Sequence, residues 1–343
     1  MFLARGIAVS FSIFVIFYGG LSVAVWCLWR RVWRFGQRHS AERCADLLFA
    51  LRLLPFAIAS VVTLAFAVPS FLLLEPRSVD EPIGAVPLAL AGCGMGLMAV
   101  GMWKALAALA QASRNIARWS RAATRMSSGI IDSMGDDSRR GNSTDTDFRS
   151  PVFLLRASAA APPLTAAGIL RPSVWLSESA EFVLTRRELQ CALRHERAHL
   201  WRRDNLRKLM LRLVAFLGMA ELESAWREAT EMAADDAAVA NAAEALDLAA
   251  AVIKLSRLVP LQPAAELTTA LVHTPAESVN ARVERLIAWE ERRQRPRQEG
   301  SRQQWWSRYA LGAGFGVICI AVLALTYGEL LLQVHAATEW LVR

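Results

Sequence analysis

Residues 185–204 read TRRELQCALRHERAHLWRRD, and this stretch decides how the polar part of the chain folds. Thr185 and Glu188 match a capping box, in which the side chain of each residue accepts a hydrogen bond from the backbone N–H of the other. Such a pair marks the first turn of a helix, and several good helix formers follow it. The sequence therefore predicts a long helix that begins at Arg186.

The predicted helix contains the sequence His195-Glu196-Arg197-Ala198-His199, which is an HExxH motif. Residues four apart share one face of a helix, so the two histidines can both reach one metal ion. Glu196 is offset by one residue, which suits a base acting on water rather than a metal ligand. The motif predicts a zinc site ligated by His195 and His199, with Glu196 as the catalytic residue.

A gluzincin-type zinc site needs a third protein ligand from a second helix. Glu231 is the candidate, because it lies four residues before Asp235 in an alanine-rich segment that can approach the first helix closely. Asp235 and Asp204 are candidates to orient the ligand imidazoles, and the alternative for both is a solvated surface charge. Apart from Tyr309, the region has no tyrosine to stabilise an oxyanion, so Arg227 is the candidate for that role.

The apolar residues are concentrated in four uncharged runs, and a long charged stretch lies between the third and the fourth. Each run is long enough to cross a hydrocarbon layer of about 30 Å as a helix. A lipid bilayer is therefore an expected partner of the chain. The predicted spans cover residues 7–29, 53–74, 82–103 and 309–328.

The distribution of arginine predicts how the spans are oriented. Six arginines lie within residues 30–52, whereas Arg77 is the one basic residue between the second and third spans. Cytoplasmic loops carry the excess of Lys and Arg, which places the N-terminus outside the cell membrane. Residues 104–308 are then cytoplasmic, and residues 329–343 form a short external tail. The net charge of +8 follows from this topology, and no direct contact with nucleic acid is expected.

The residues before the motif helix predict a small β-sheet and a linker. Residues 127–150 are rich in Ser, Gly, Asp and Asn, which is typical of a linker. Residues 152–156 and 170–176 have the composition of short strands, with prolines and a glycine between them. The predicted fold is a multi-pass α-helical membrane protein with four spans and a mainly α gluzincin-type zinc peptidase domain carrying a small β-sheet.

Two longer patterns make the site resemble a known family. Residues 195–204 fit HExxHxxRxD, and residues 227–236 fit RxxxExxxDD. With three predicted spans before the site and one after it, the chain resembles the BlaR/MecR-type membrane metallopeptidases, which transduce β-lactam signals. The resemblance implies zinc at His195, His199 and Glu231. It also implies a protein substrate, which we expect to be a winged-helix transcriptional repressor in the cytoplasm or the chain's own linker.

The resemblance has one further implication and two departures. Residues 170–176 should be the strand region before the active helix, where a substrate peptide could bind as an added strand. Family members commonly carry Trp-x-Asn-Pro between the two zinc-binding helices, where this chain has FLGMAELE at residues 216–223. The best-known members continue into an external penicillin-binding sensor, whereas this sequence stops at Arg343. We therefore expect no β-lactam sensing by this polypeptide itself.

Two other functions remain open. The chain could be a membrane quality-control peptidase similar to the prenyl-protease and HtpX-like enzymes, although their order of spans around HExxH differs. It could also be a transducer without catalytic activity that keeps zinc as a structural element. The intact Glu196 argues against that role, because a structural zinc site needs no base.

Overall fold

The computed structural model describes residues 2–75, 84–121, 124–125, 153–157, 162–169, 172–216, 218–258, 268–270, 276–289 and 326–338. The predicted linker at residues 127–150, and residues 309–325 of the predicted fourth span, lie outside this part of the chain. The chain forms two compact units. The first, which we call the span unit, comprises Met1–Trp29, Leu51–Val100 and Arg295–Arg343; the second, the motif unit, comprises Arg30–Ala50 and Gly101–Gln294.

Among the described residues, three helices are long and apolar enough to cross a membrane, as the sequence predicted for the part of the chain before the motif. Each is longer than its apolar run, because the flanking residues are good helix formers such as alanine and arginine. The second helix continues without a break through a π-helical turn. The elements are α1 (Phe2–Gly36), α2 (Ala41–Val62), the π-helical turn (Thr63–Ala67), α3 (Val68–Leu74) and α4 (Ala85–Ser120).

Polar contacts join helices within the span unit. Residues 326–338 are helical, and Tyr327 in this segment donates a hydrogen bond to the carbonyl of Ala65, at 2.6 Å, inside the π-helical turn. Near the end of α3, the guanidinium of Arg5 lies 3.0 Å from the carboxylate of Glu75, and both side chains are buried. These contacts satisfy polar groups that would be costly to leave unpaired away from water.

The motif unit contains a five-stranded sheet with the strand order β1-β2-β4-β3-β5. Its strands are β1 (Thr124–Arg125), β2 (Phe153–Ala157), β3 (Leu164–Ala167), β4 (Ser173–Ser177) and β5 (Thr268–Ala270). The β2–β4 pair is parallel, and the other three pairs are antiparallel. Strands β2 and β4 overlap the two predicted strand regions and each ends one residue later than predicted, whereas β3 was missed because prolines precede it and a glycine follows it.

The position of β4 corrects one expectation. A substrate peptide was expected to add to residues 170–176, but β4 already pairs with β2 on one side and β3 on the other. A strand with both edges paired has no unpaired backbone groups to offer an added strand. Substrate binding by strand addition along β4 is therefore excluded in this conformation.

In the part of the motif unit that the structure describes, six further helices follow the first strands. They are α5 (Glu178–Val183), α6 (Arg186–Trp201), α7 (Asp204–Leu213), α8 (Ala220–Ala238), α9 (Ala242–Ser256) and α10 (Ala276–Ile287). Helix α6 carries the HExxH motif and packs against α8, α9 and strand β3. Cys191, one turn before the motif, lies in the hydrophobic core beside Ala192, and burial raises the pKa of its thiol to about 11. Cys191 is thus a packing residue.

The predicted capping box is present at the start of α6. Thr185 Oγ1 accepts a hydrogen bond from the Glu188 N–H, and the Glu188 carboxylate accepts one from the Thr185 N–H at 2.8 Å. The same carboxylate lies 2.8 Å from Nζ of Lys254 in α9. Burial raises the pKa of Glu188, but the hydrogen bonds from Lys254 and Thr185 outweigh burial and leave the pKa below its ordinary value.

Glu188→Gln tests the contribution of this ion pair to stability. Glutamine can still accept from the Thr185 N–H, so the substitution removes the charge and leaves the capping box. The side chain of Lys254 is 36% exposed, so water screens the pair and the expected loss is about 1 kcal/mol at neutral pH. The stabilisation is complete above the unfolded-state pKa of about 4.3 and disappears as pH falls through the lower folded-state pKa. Thermal unfolding of both proteins in detergent should differ at pH 7 and converge in acid.

The motif unit also includes Arg30–Ala50, which lies between the first two apolar runs. Asp46 in this segment accepts hydrogen bonds from Arg202 at 3.2 Å and from Arg207 at 2.6 Å. Both arginines follow the HExxH motif closely. Ion pairs between distant parts of the chain therefore attach this segment to the motif unit.

Candidate metal centre

Helix α6 brings the two motif histidines together at its buried face. Nε2 of His195 and Nε2 of His199 are 3.1 Å apart, and each imidazole is at most 1% exposed. Helix α8 contributes Glu231, whose carboxylate oxygens lie 3.5 Å from each Nε2 atom. Helix α8 can come this close to α6 because small buried alanines line its inner face, among them Ala229, Ala233, Ala234 and Ala238.

The three side chains fit a zinc ion. One ligand atom from each of His195, His199 and Glu231 lies within 4.8 Å of the other two. Ligands at the usual zinc bond lengths of about 2.0–2.1 Å are separated by roughly 3.3 Å in a tetrahedral site. The observed separations of 3.1 and 3.5 Å are close to that value. Two imidazoles and one carboxylate also form a donor set that zinc prefers.

A carboxylate lies beside the second nitrogen of each imidazole. Oδ1 of Asp235 is 3.0 Å from Nδ1 of His195, and Oδ2 of Asp204 is 2.7 Å from Nδ1 of His199. Both aspartates are fully buried, so the alternative of solvated surface charges does not apply to them. A carboxylate at Nδ1 fixes the tautomer in which Nε2 presents its lone pair to a metal ion.

The position of Asp204 depends on a break after the motif helix. In a continuous helix, a residue five positions on lies about 140° around the axis, so Asp204 would point away from His199. Arg203 adopts a left-handed conformation with φ 53°, and α7 begins directly after it. This turn interrupts the helix, and the Asp204 carboxylate lies beside the imidazole of His199. A non-glycine residue held in this region costs about 1 kcal/mol, which the surrounding contacts must offset.

Glu196 is fully buried next to the two histidines. Its Oε2 atom accepts a hydrogen bond from the Ala166 N–H of strand β3 at 2.9 Å. Asn205 donates from Nδ2 to the carbonyls of Ala166 and Gly168, which holds this strand over α6. Burial raises the pKa of Glu196 to about 7, although the two imidazoles and the Ala166 N–H act in the opposite direction.

The electrostatics of the cluster favour a cation. Burial lowers the pKa of His195, but the carboxylates of Asp235 and Glu231, which accept hydrogen bonds from the protonated imidazole, outweigh burial and raise it to about 9. Burial raises the pKa of Glu231, but His199 and Arg282 outweigh burial and lower it to about 2. The carboxylates therefore stay ionised at neutral pH and favour positive charge between them. A metal ion can supply that charge in place of the imidazole proton.

The arginine that reaches the cluster is Arg282 of α10, whereas the sequence had suggested Arg227. Arg227 is exposed, and its Nε donates to the carbonyl of Glu223 in the preceding turn of its own helix. Nη1 of Arg282 lies 3.0 Å from the Glu231 carboxylate, and its guanidinium also forms two hydrogen bonds with Asp235. Nothing in the local sequence marks Arg282, because it lies 47 residues after Asp235.

The sequence patterns also failed to identify a lysine and a backbone amide near the metal position. Lys208 lies one turn after Asp204, and burial lowers the pKa of its ammonium group while Glu231 and Asp204 act in the opposite direction. The Ala166 N–H carries no sequence signal, because any residue of β3 would offer a backbone donor. The spacing of Lys208 from Asp204 on α7 is the one signal that could have pointed to it.

Comparison with known proteins adds no relative to this picture. Neither a protein-family model nor a curated protein matches the chain.

Proposed function

We propose that the chain is a membrane-integrated zinc endopeptidase of the HExxH…E gluzincin type. The observation that carries the proposal is the meeting of His195, His199 and Glu231 around one buried point, with Glu196 beside them. Three ligands leave a fourth position of zinc open, as in catalytic rather than structural sites. Zinc bound there would act as a Lewis acid toward a peptide carbonyl and lower the pKa of water.

The protein residues have distinct roles in the proposed reaction. Asp235 and Asp204 hold the two imidazoles in the tautomer and orientation that binding needs. Glu196 accepts a proton from the attacking water and passes it to the nitrogen of the leaving amine. Its Oε2 accepts a hydrogen bond from the Ala166 N–H, which fixes the orientation of the carboxylate. Burial raises the pKa of Glu196 above its usual value, which helps this carboxylate to hold the proton that it takes from water.

The proposed setting is the cytoplasmic side of the cell membrane. The arginine distribution supports this orientation, and the three apolar helices support insertion in a lipid bilayer. The resemblance to the BlaR/MecR-type peptidases supports signal transduction by cleavage of a winged-helix repressor or of the chain itself. We propose that role over general membrane quality control.

Metal content and chelation test the proposed function. The purified full-length protein in detergent should contain about one zinc ion per chain, because three ligands form one site. It should cleave peptides, lose that activity with a chelator and regain it on addition of zinc. The co-encoded repressor, if one is present, and the 127–150 segment are the first substrates to follow. A protein that retains one zinc per chain but cleaves no peptide would instead be a zinc-stabilised transducer.

Reporter fusions test the proposed orientation. Fusions at Arg38 and Ser143 should report the cytoplasm, and fusions at Ser78 and after Arg343 the external side, because the basic residues flank the internal segments. Alkaline phosphatase and a fluorescent protein give opposite signals on the two sides of the membrane. The two reporters, fused at the same position, therefore serve as controls for each other. An external signal at Ser143 would exclude a cytoplasmic substrate.

A further inference from the structure

We propose that Arg282 is a positioning residue of the metal centre. It holds in place both Glu231, the third ligand, and Asp235, which orients the imidazole of His195. It also supplies positive charge that these buried carboxylates require. The inference rests on the proposed zinc site and extends it to a fourth helix, beyond α6, α7 and α8. Arg282 lies in α10, whereas the two carboxylates lie one turn apart on α8. No motif in the sequence joins these two segments.

The contacts of Arg282 reach two neighbours of the metal position. Nε and Nη2 donate to the two oxygens of Asp235 at 2.9 and 2.7 Å, in a bidentate arrangement. Nη1 lies 3.0 Å from Oε2 of Glu231. The same Glu231 oxygen faces Nε2 of His195, and Oδ1 of Asp235 faces Nδ1 of that imidazole. Arg282 is therefore connected to His195 by two routes, each through one carboxylate.

A planar guanidinium is suited to this task. Its five N–H donors form a rigid fork, so one side chain can fix the plane of one carboxylate and still bind a second. The side chain of Arg282 is 3% exposed, so little water screens these contacts. Because both carboxylates are already held in place, metal binding loses less conformational entropy.

The charges of the site also require Arg282. Four carboxylates of the described residues surround the metal position: Glu196, Asp204, Glu231 and Asp235. Zinc would offset two of these charges, and the Nε of Arg202 lies 3.7 Å from Asp204. Arg282 contacts two of the four carboxylates directly, Glu231 and Asp235, so its loss would take positive charge from both. Removing one partner of a buried ion pair is strongly destabilising, because the other charge is left uncompensated.

A neighbouring arginine provides a matched control. Arg285 lies on the same helix and forms an ion pair of 2.7 Å with Asp236, the residue after Asp235. Its side chain is partly exposed, and it donates hydrogen bonds to Asp236 and to the carbonyl of Met232 on α8. Arg285→Gln thus removes the same charge and a contact between the same two helices, away from the metal position.

The test compares zinc affinity in Arg282→Gln, Arg282→Lys, Arg285→Gln and the wild type. Full-length protein in detergent is stripped of metal and titrated with zinc against a chromophoric chelator. Cobalt(II) is then loaded instead, and its visible absorption reports the ligand geometry. Arg282→Gln is expected to weaken zinc binding by about 10- to 100-fold and to shift the cobalt spectrum. Arg282→Lys keeps the charge but lacks the fork of donors, so its zinc affinity should lie between that of Arg282→Gln and that of the wild type. The zinc affinity of Arg285→Gln should match that of the wild type.

A double variant separates positioning from general stability. If Arg282 acts through Asp235, then adding Asp235→Asn to Arg282→Gln should weaken zinc binding by less than the product of the two separate effects. If Arg282→Gln does not fold, Arg282→Lys decides the question by its affinity and cobalt spectrum. Wild-type values for the lysine variant, or equal losses for Arg282→Gln and Arg285→Gln, overturn the inference. A wild type that binds no zinc in this titration overturns the proposed function itself.

Discussion

Glu196→Gln is expected to lower peptide hydrolysis by about 10²- to 10⁴-fold, which is the usual contribution of a general base. An amide has nearly the same shape as the carboxylate and can still accept from the Ala166 N–H, so the hydrogen bond to β3 is kept. What the amide cannot do is take a proton from water. Zinc content should therefore remain at the wild-type level, since Glu196 is not among the three proposed ligands.

The measurement is kcat/KM on a fluorogenic peptide, together with metal content from the same preparation. Glu188→Gln is the matched control, because it makes the same chemical change two turns earlier on α6, at the capping box. Below its unfolding temperature, the control should hydrolyse the peptide as the wild type does. Normal hydrolysis by Glu196→Gln would show that another group acts as the base.

Glu231→Gln is expected to weaken zinc binding strongly, because it alters a metal ligand directly. Loss of a residue that only orients a ligand typically weakens metal binding by roughly 10- to 100-fold, and the effect here should be larger. The substitution also removes a negative charge that faces both Nε2 atoms and the guanidinium of Arg282. His199→Ala should have at least as large an effect, because it removes a ligand and leaves the buried Asp204 without its imidazole.

Glu228→Gln is the control for the third ligand. Glu228 lies on the same helix, less than one turn before Glu231, and its side chain is exposed. Zinc affinity should therefore be unchanged in this variant. If Glu228→Gln lost zinc while Glu231→Gln retained it, the donor set would have to be assigned again, whatever the result for the histidines.

The sequence by itself determined those features that depend on one helix or one apolar run. The capping box at Thr185 fixed the start of α6, and a spacing of four placed His195 and His199 on one face. The same periodicity paired Glu231 with Asp235 on α8. Three runs without charge predicted three helices that can cross a membrane. These inferences held because the period of a helix and the length of a span are local properties.

The tertiary structure alone decided which distant groups complete the site. The left-handed turn at Arg203 interrupts the helix, and Asp204 lies beside His199, although spacing in a continuous helix would separate them. Strand β3 brings the Ala166 N–H to Glu196, and packing of α10 on α8 brings Arg282 to Glu231. Contacts of this kind depend on how separate elements pack in three dimensions. Neither periodicity nor composition encodes them along the chain, so only the folded protein reveals them.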